Sequence, residues 1–314
     1  MKHVKAHMID RRVRYAWLLW LACLTLLQTG LASGQNPVNQ QPGEQLQAMF
    51  DAFANNAGPL APMFGKLSPQ QLQQLDDIKI SLAEENQFGQ KVLKAYLQQL
   101  AQAQIAVIQQ GKDVEYLQQL LEVLKPHMNH GSRYKSFDVQ VINVASSDAF
   151  SIPGGHLLIT LGLLKNAESE ATVVGVLAHE LSHLDRGHQL LPLKQSKLVG
   201  KPLNFADSLM WISLVARPFR PEQESEADSD ATHWMMAAGY DPLELAKLLS
   251  RWDQQQDQAM PWMQFVPGFV KSHPDAGKRA QEVLKVARQN KARYPQAVLI
   301  GTENLAQRKA IPAR

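Results

Sequence analysis

Residues 171–184 read Ala171-Thr-Val-Val-Gly-Val-Leu-Ala-His179-Glu180-Leu-Ser-His183-Leu184, an apolar run that carries two histidines and a glutamate. Glutamates at 168 and 170 precede the run and Gly187 follows it, which is typical of the first turn and the end of an α-helix. On a helix, residues four positions apart lie on one face. The stretch therefore predicts a helix on which His179 and His183 direct their imidazoles at one point.

The spacing of these polar residues suits a zinc ion. Two imidazoles four residues apart can bind one Zn²⁺, and Glu180 is placed to take a proton from a water that the metal activates. This His-Glu-x-x-His pattern is a recognised signature of zinc metalloproteases. The alternative is that His179 and His183 are ordinary core residues whose hydrogen bonds are satisfied. A third ligand decides between the two interpretations.

A third histidine close to the motif does not supply that ligand. In one class of zinc enzymes a histidine six residues after the second completes the site, but Gln189 occupies that position here. His188 lies five residues past His183 and just beyond Gly187. We therefore interpret His188 as a polar residue at the end of the helix.

An acidic segment further along the chain offers a carboxylate ligand. Residues 221–238 predict a second helix, with proline at its start and Gly239 after its end. Glu224 and Asp228 are four residues apart and share a face. The simplest arrangement makes Glu224 the third zinc ligand, with Asp228 holding a ligand imidazole from behind. The alternative is a solvated acidic face.

Four motifs in order resemble those of a known family. The His179–His183 motif and the Glu224-x-x-Ala-Asp228 motif are joined by an upstream stretch at 149–164, around Pro153-Gly-Gly, and by a downstream Ser272-His273-Pro274 element with Arg279 after it. These motifs are similar to those of the gluzincin metallopeptidases related to HtpX and the CaaX prenyl protease, in particular the exported branch of that family. The matches span residues 84–285.

The resemblance implies a fold and an activity. The fold would be α+β and mainly helical, a zincin-type metallopeptidase domain with a small β-sheet beside the motif helix. The activity would be that of an endopeptidase with one zinc ion per chain, which cleaves protein or peptide substrates among unfolded or misassembled exported proteins. The alternative is a latent or non-catalytic, zinc-containing, chaperone-like binding protein of the cell envelope.

The roles of His273 and Arg279 stay open at this point. The oxyanion that forms during peptide hydrolysis needs a hydrogen-bond donor, and His273 is the first candidate, with Arg279 as the alternative. The resemblance also implies a second role for His273, since the corresponding histidine in exported relatives can fill the open zinc position and hold the enzyme latent. A third interpretation is a Ser-His-Pro turn that caps the last helix.

Two short strands are predicted upstream of the motif helix. Residues 137–144 alternate apolar and polar side chains, and residues 156–160 predict a second strand after the Pro153-Gly-Gly turn. In the family's architecture, the later strand lies at the edge of the sheet. An extended substrate would then pair with that edge. The expected substrate-binding residues are Gly155, His156, Leu157 and Leu158.

The start of the chain predicts an exported protein. Residues 1–34 combine five basic residues, a twelve-residue apolar core at 16–27 and small residues at 30–34, as a signal peptide does. An uncleaved anchor is the alternative. Residues 35–67 predict a flexible linker, residues 68–290 the metallopeptidase domain, and residues 291–314 a C-terminal tail. We expect a periplasmic or cell-envelope location.

Composition argues against nucleic-acid binding and against a structural zinc with cysteine ligands, and it leaves the role of one apolar segment undecided. The net charge is +3, but the first 34 residues carry +4, so the remainder is close to neutral and gives nucleic-acid binding no electrostatic support. Cys23 is the only cysteine, so the mature chain has no disulfide and no thiolate ligand for a structural zinc. The apolar residues 203–219 are a core helix, a lid over the cleft or a surface for peripheral membrane contact.

Overall fold

A computed structural model describes residues 68–198, 200, 219–255, 273 and 275–311. Within them the fold is mainly helical with one small four-stranded sheet, which confirms the predicted class. The elements are α1 (Pro69–Asp76), α2 (Leu82–Gln102), β1 (Val107–Ile108), α3 (Lys112–Leu124), β2 (Asp138–Ile142), β3 (Ala149–Ile152), β4 (His156–Thr160), α4 (Leu161–Asn166), α5 (Glu170–Arg186), α6 (Leu191–Leu198), α7 (Pro221–Ala237), α8 (Leu243–Gln255), α9 (Ala276–Asn290) and α10 (Thr302–Gln307).

Several expectations fall outside these residues. The signal peptide at 1–34, the linker at 35–67 and nearly all of the apolar segment at 203–219 are not among the described residues. Of that last segment, only Phe219 is described. None of the helices in the described parts of the chain is both long enough and apolar enough to cross a bilayer.

The helix α5 carries the motif and is buried along its whole length. The hydroxyl of Ser169 caps its start by accepting a hydrogen bond from the backbone N–H of Thr172 at 3.1 Å. Gly187 ends it in the left-handed conformation, with φ at 66°. Each side chain from Glu170 to Asp185 is buried, because α3, α7, α8 and β3 pack around the helix. The predicted start and end of this helix are confirmed.

The sheet has the order β1-β2-β4-β3. The central strand β4 pairs with β2 in parallel and with β3 in antiparallel orientation, so its backbone has a partner on both sides. The expectation that residues 156–160 form the edge was wrong. The short apolar strand β3 was missed; it forms a tight hairpin with β4, occupies the edge and lies beside α5.

The helix α2 runs without a break past Gly89. A Cβ atom at Gly89 would lie 1.7 Å from the carbonyl oxygen of Pro153, so only glycine lets the helix pack against the β3–β4 turn. Gly111 has a φ of 106° and precedes α3. The strand β1 lies in the gap between the two helices.

The last described residues belong to the domain, so the boundary expected at 290 is too early. The backbone N–H of Ala171 donates to the carbonyl of Ile300 at 2.9 Å, and the N–H of Glu170 donates to Gly301 at 3.2 Å. The first N–H groups of a helix have no partner within it, and here they are buried. The C-terminal segment supplies the missing acceptors, and Leu305 of α10 is buried in the core.

Candidate metal centre

Four buried side chains bring their ligand atoms together between α5, α7 and α9. They are His179, His183, Glu224 and His273, and one ligand atom from each lies within 4.8 Å of all the others. The Nε2 atoms of His179 and His183 are 3.0 Å apart, and Nδ1 of His273 is 2.8 Å from Oε1 of Glu224. The three expected ligands are thus assembled in one place, with His273 as a fourth member. Three imidazoles and a carboxylate form a donor set that suits Zn²⁺.

Asp228 lies behind the first ligand. Its Oδ1 is 2.8 Å from Nδ1 of His179, which leaves Nε2 to face the cluster. Burial raises the pKa of Asp228, but Arg279 and His179 outweigh that effect and hold the pKa well below its usual range. The carboxylate is therefore ionised and fixes which nitrogen of His179 carries the proton.

Arg279 forms ion pairs with two carboxylates, those of Asp228 and Glu224. Its Nε and Nη2 atoms each donate to Asp228 at 2.8 Å, and Nη1 lies 3.1 Å from Oε2 of Glu224. The side chain is buried beneath the ligands. This placement differs from the expected role as an oxyanion donor, because the shortest contacts of the guanidinium are with two carboxylates of α7 and the others are with the His273 carbonyl and the His179 ring. Arg279 instead positions two acidic residues of the metal centre.

Glu180 stands beside the cluster without contributing a ligand atom to it. Its Oε2 accepts a hydrogen bond from the Ser151 hydroxyl at 2.7 Å, and its Oε1 lies 3.3 Å from Nε2 of His273. Burial raises the pKa of Glu180, but His273, His179 and Ser151 outweigh it and keep the pKa below its ordinary value. The group is thus an ionised, oriented carboxylate, as a general base must be.

Ser151 was not identified from the sequence. It lies on the edge strand β3, and its hydroxyl accepts a hydrogen bond from Nε2 of Gln189 at 2.6 Å while it donates to Glu180. A serine in a short apolar strand has no sequence signal for such a role. Only the packing of β3 against α5 places it there.

His273 lies between the general base and the third ligand. Burial lowers the pKa of His273, but the carboxylates of Glu224 and Glu180 outweigh this and raise it to about 9. Its Nδ1 faces Glu224 at 2.8 Å and its Nε2 faces Glu180 at 3.3 Å, so each ring nitrogen lies against one carboxylate. It is not a cap at the start of α9, because its nitrogens face the metal cluster.

Two further residues surround His183 that sequence reasoning did not assign to the site. His188 places its Nδ1 2.8 Å from Nδ1 of His183, and the ring of Phe219 stacks on His183 with centroids 3.8 Å apart. Burial lowers the pKa of His183 well below its ordinary value and that of His188 to about 3, so both rings are neutral. A neutral His183 has the lone pair that a metal ligand needs.

The residues expected to bind substrate are not available for strand pairing. Leu157 and Leu158 are fully buried in the central strand, and Gly155 and His156 lie at the turn that leads into it. The imidazole of His156 is 2.8 Å from the carboxylate of Asp138 on the neighbouring strand β2. The strand β3, which is buried beside α5, forms this edge of the sheet instead.

Comparison with known proteins identifies the family of this site. Residues 111–287, more than half of the chain, match the sequence profile of peptidase family M48. The chain belongs to peptidase family M48. The matched region contains every residue of the metal centre, and the match confirms the resemblance to metallopeptidases that the motifs indicated.

Curated relatives of this M48 protein are metallopeptidases of low sequence identity. The mitochondrial metalloendopeptidase OMA1 is 26% identical over 157 residues in Arabidopsis thaliana, covering 46% of this chain and 30% of the relative. For Schizosaccharomyces pombe OMA1 the identity is also 26%, covering 47% and 45%. The β-barrel assembly-enhancing protease of Escherichia coli is 24% identical over 186 residues, covering 50% and 37%. The chain thus spans less than half the length of these relatives.

The pairing of Arg279 with Asp228 predicts a large loss of stability when the arginine is removed. Arg279→Ala leaves a buried carboxylate without its partner, which typically costs about 3–5 kcal/mol. We expect the free energy of unfolding from urea denaturation to fall by that amount, measured in excess chelator so that metal binding does not contribute. Arg288→Ala, at an exposed position on the same helix, should change it by less than about 0.5 kcal/mol. Equal stability of the two variants would contradict this role.

Proposed function

We propose that this protein is a zinc endopeptidase that cleaves unfolded or misassembled exported proteins in the periplasm or cell envelope. The observation that carries the proposal is the position of Glu180, a buried and ionised carboxylate beside the donor cluster that is not itself one of the donors. A zinc site that serves only structure has no use for such a group. The family of the chain supports the same activity.

The reaction follows from the placement of each side chain. His179, His183 and Glu224 would hold a zinc ion, which would supply Lewis-acid polarisation of the attacking water and of the scissile carbonyl. Glu180 accepts the proton of that water and delivers it to the leaving amine. Ser151 holds the carboxylate in the orientation that this transfer needs, through its hydrogen bond of 2.7 Å.

The edge strand β3 is the surface on which we propose that substrates bind. The N–H of Thr160 donates to the carbonyl of Asp148 at 2.9 Å, so by the alternation of an antiparallel pair residues 149 and 151 direct their backbone groups away from β4. The N–H of Ala149 is already bonded to the side chain of Asp148 at 2.9 Å. The carbonyl of Ser151 lies 3.5 Å from Nε2 of Gln189. An extended peptide would therefore pair chiefly with the N–H of Ser151, next to the general base.

Backbone pairing predicts a period-two response to N-methylation. In an oligopeptide substrate, single N-methyl groups at successive positions leave the side chains unchanged and remove one N–H each. We expect kcat/KM to fall by about tenfold or more at alternate positions on one side of the scissile bond, because alternate residues of a strand bond to the same neighbour. Positions in between serve as controls. A uniform response, or one without this alternation, would argue against strand addition.

The role of Glu180 predicts a separation between metal binding and turnover. Glu180→Gln removes the base but no ligand, so cleavage of an unfolded protein such as casein should fall by at least about 10²-fold while one zinc per chain is retained. The variant His179→Ala is the matched control, since it should lose both activity and zinc. The experiment uses mature protein with stoichiometric zinc. Full activity of Glu180→Gln would refute the mechanism.

We also propose that His273 holds the enzyme latent. A catalytic zinc site keeps three protein ligands and an open position, whereas here a fourth side chain, the imidazole of His273, lies among the donors. The same ring lies against the general base, with Nε2 of His273 3.3 Å from Oε1 of Glu180. Both the fourth position and the base are thus occupied by one side chain, which supports latency over a role as oxyanion donor.

His273→Ala tests latency directly. If the residue blocks the site, removing it should raise casein cleavage by about tenfold or more over the wild type, because the open position becomes accessible to water and substrate. A decrease would instead assign His273 as the oxyanion donor. If none of the three zinc-loaded proteins (wild type, Glu180→Gln and His273→Ala) cleaves casein, the result would favour the alternative function, a chaperone-like binding protein.

A further inference from the structure

Both nitrogens of His183 are engaged, and its second partner is an unusual one. Its Nε2 faces the donor cluster, 3.0 Å from Nε2 of His179 and 3.5 Å from Oε1 of Glu224. Its Nδ1 lies 2.8 Å from Nδ1 of His188. The other ligand imidazole, His179, contacts a carboxylate directly through its Nδ1. His183 therefore has a histidine where His179 has an aspartate.

His188 continues the contact to a carboxylate at the surface. Its Nε2 lies 3.2 Å from Oε2 of Glu226 on α7. The His188 side chain is only 7% exposed, whereas that of Glu226 is 49% exposed. The chain His183–His188–Glu226 thus runs from the metal cluster to solvent.

The hydrogen bonds in this chain are compatible with one assignment of protons. An imidazole that ligates a metal through Nε2 carries its proton on Nδ1 and donates it. Nδ1 of His188 must then accept, so the proton of that neutral ring is on Nε2, where it is donated to Glu226. Each donor meets one acceptor, and the negative charge at the far end favours this orientation.

Local structure fixes His188 in this position. Gly187 ends α5 in the left-handed conformation, and the chain turns back in a short 3₁₀ helix, His188–Leu190. The ring of Phe219 stacks on His183 with an interplanar angle of 22°. The His183 ring is therefore held at its face by Phe219 and at its edge by His188.

We propose that His188 and Glu226 are positioning residues that orient His183 as a metal ligand and set the zinc affinity of the site. The proposal rests on the zinc centre of the proposed function but not on its peptidase activity. It assigns His188 a role in the metal centre, in contrast to the interpretation of a polar residue at the end of a helix.

The test is the zinc dissociation constant of the full mature chain, measured by competition with a chromogenic chelator. We expect His188→Ala to weaken zinc binding by about 10- to 100-fold, as loss of a residue behind a ligand does. Glu226→Gln should weaken it by roughly 3- to 10-fold, because a hydrogen bond to a neutral amide is about half as strong as one to a carboxylate. Glu222→Gln is the matched control, since it removes an equal charge from an exposed position on the same helix and should leave the affinity within about twofold.

A double variant separates this chain from two independent effects. If Glu226 acts through His188, the variant His188→Ala/Glu226→Gln should bind zinc no more weakly than His188→Ala alone. His188→Asn, which keeps an acceptor near the position of Nδ1, should recover part of the affinity and should likewise be insensitive to Glu226→Gln. The thermal stability of each zinc-free variant is measured as well. A loss of zinc affinity in variants whose thermal stability equals that of the wild type does not come from a folding defect.

The outcomes are distinct from those for the peptidase activity. Zinc affinity of His188→Ala within about twofold of the wild type, or additive effects in the double variant, would overturn the proposal. If the wild type does not cleave casein but the variants show the expected series of zinc affinities, the proposed endopeptidase activity is contradicted and the positioning role of His188 and Glu226 stands. A wild-type chain that binds no zinc would overturn both.

Discussion

The burial of α5 is the constraint on which the rest of the structure depends. The side chains of this helix are buried from Glu170 to Asp185, and a buried polar group without a partner costs about 1–3 kcal/mol. Glu180 bonds to Ser151 of the sheet, His179 contacts Asp228 of α7, and His183 contacts His188 of the following turn. Because these partners come from three different elements, the polar groups of one helix are satisfied only when the sheet, α7 and the turn all pack around the metal centre.

The same constraint acts at the start of the helix. Glu170 is buried there, and its carboxylate accepts hydrogen bonds from the hydroxyls of Tyr116 and Tyr240 and from the backbone N–H of Ile311. Burial raises the pKa of Glu170. Because α3, the turn after α7 and the C-terminal segment all converge on this one side chain, the helix that carries the ligands is anchored at its start. This anchoring gives the C-terminal residues a structural role that their polar composition did not indicate.

The sequence predicted what depends on local geometry. Spacing of four residues on a helix identified His179 with His183 and Glu224 with Asp228, and the structure brings these pairs together. Strand order was not predictable in this way, because β3 and β4 are equally short and apolar, and only pairing decides which is central. His188 lies outside the helical register, and a left-handed glycine rather than periodicity returns it to the site. Ser151 is placed by packing between sheet and helix, which no local pattern records.

Under the proposed latency, the arrangement of donors would let the site open without losing its metal ligands. His179 and His183 share α5, Glu224 lies on α7, and these two helices pack tightly along their length. His273 belongs to neither helix, and it reaches the cluster from the residues just before α9. Withdrawal of this one ring would leave three ligands in place, would free Glu180 from its contact at 3.3 Å, and would expose the position next to β3. The pair of Asp228 and Arg279 would still hold His179 in that open state, because it lies beneath the ligands and does not depend on the His273 ring.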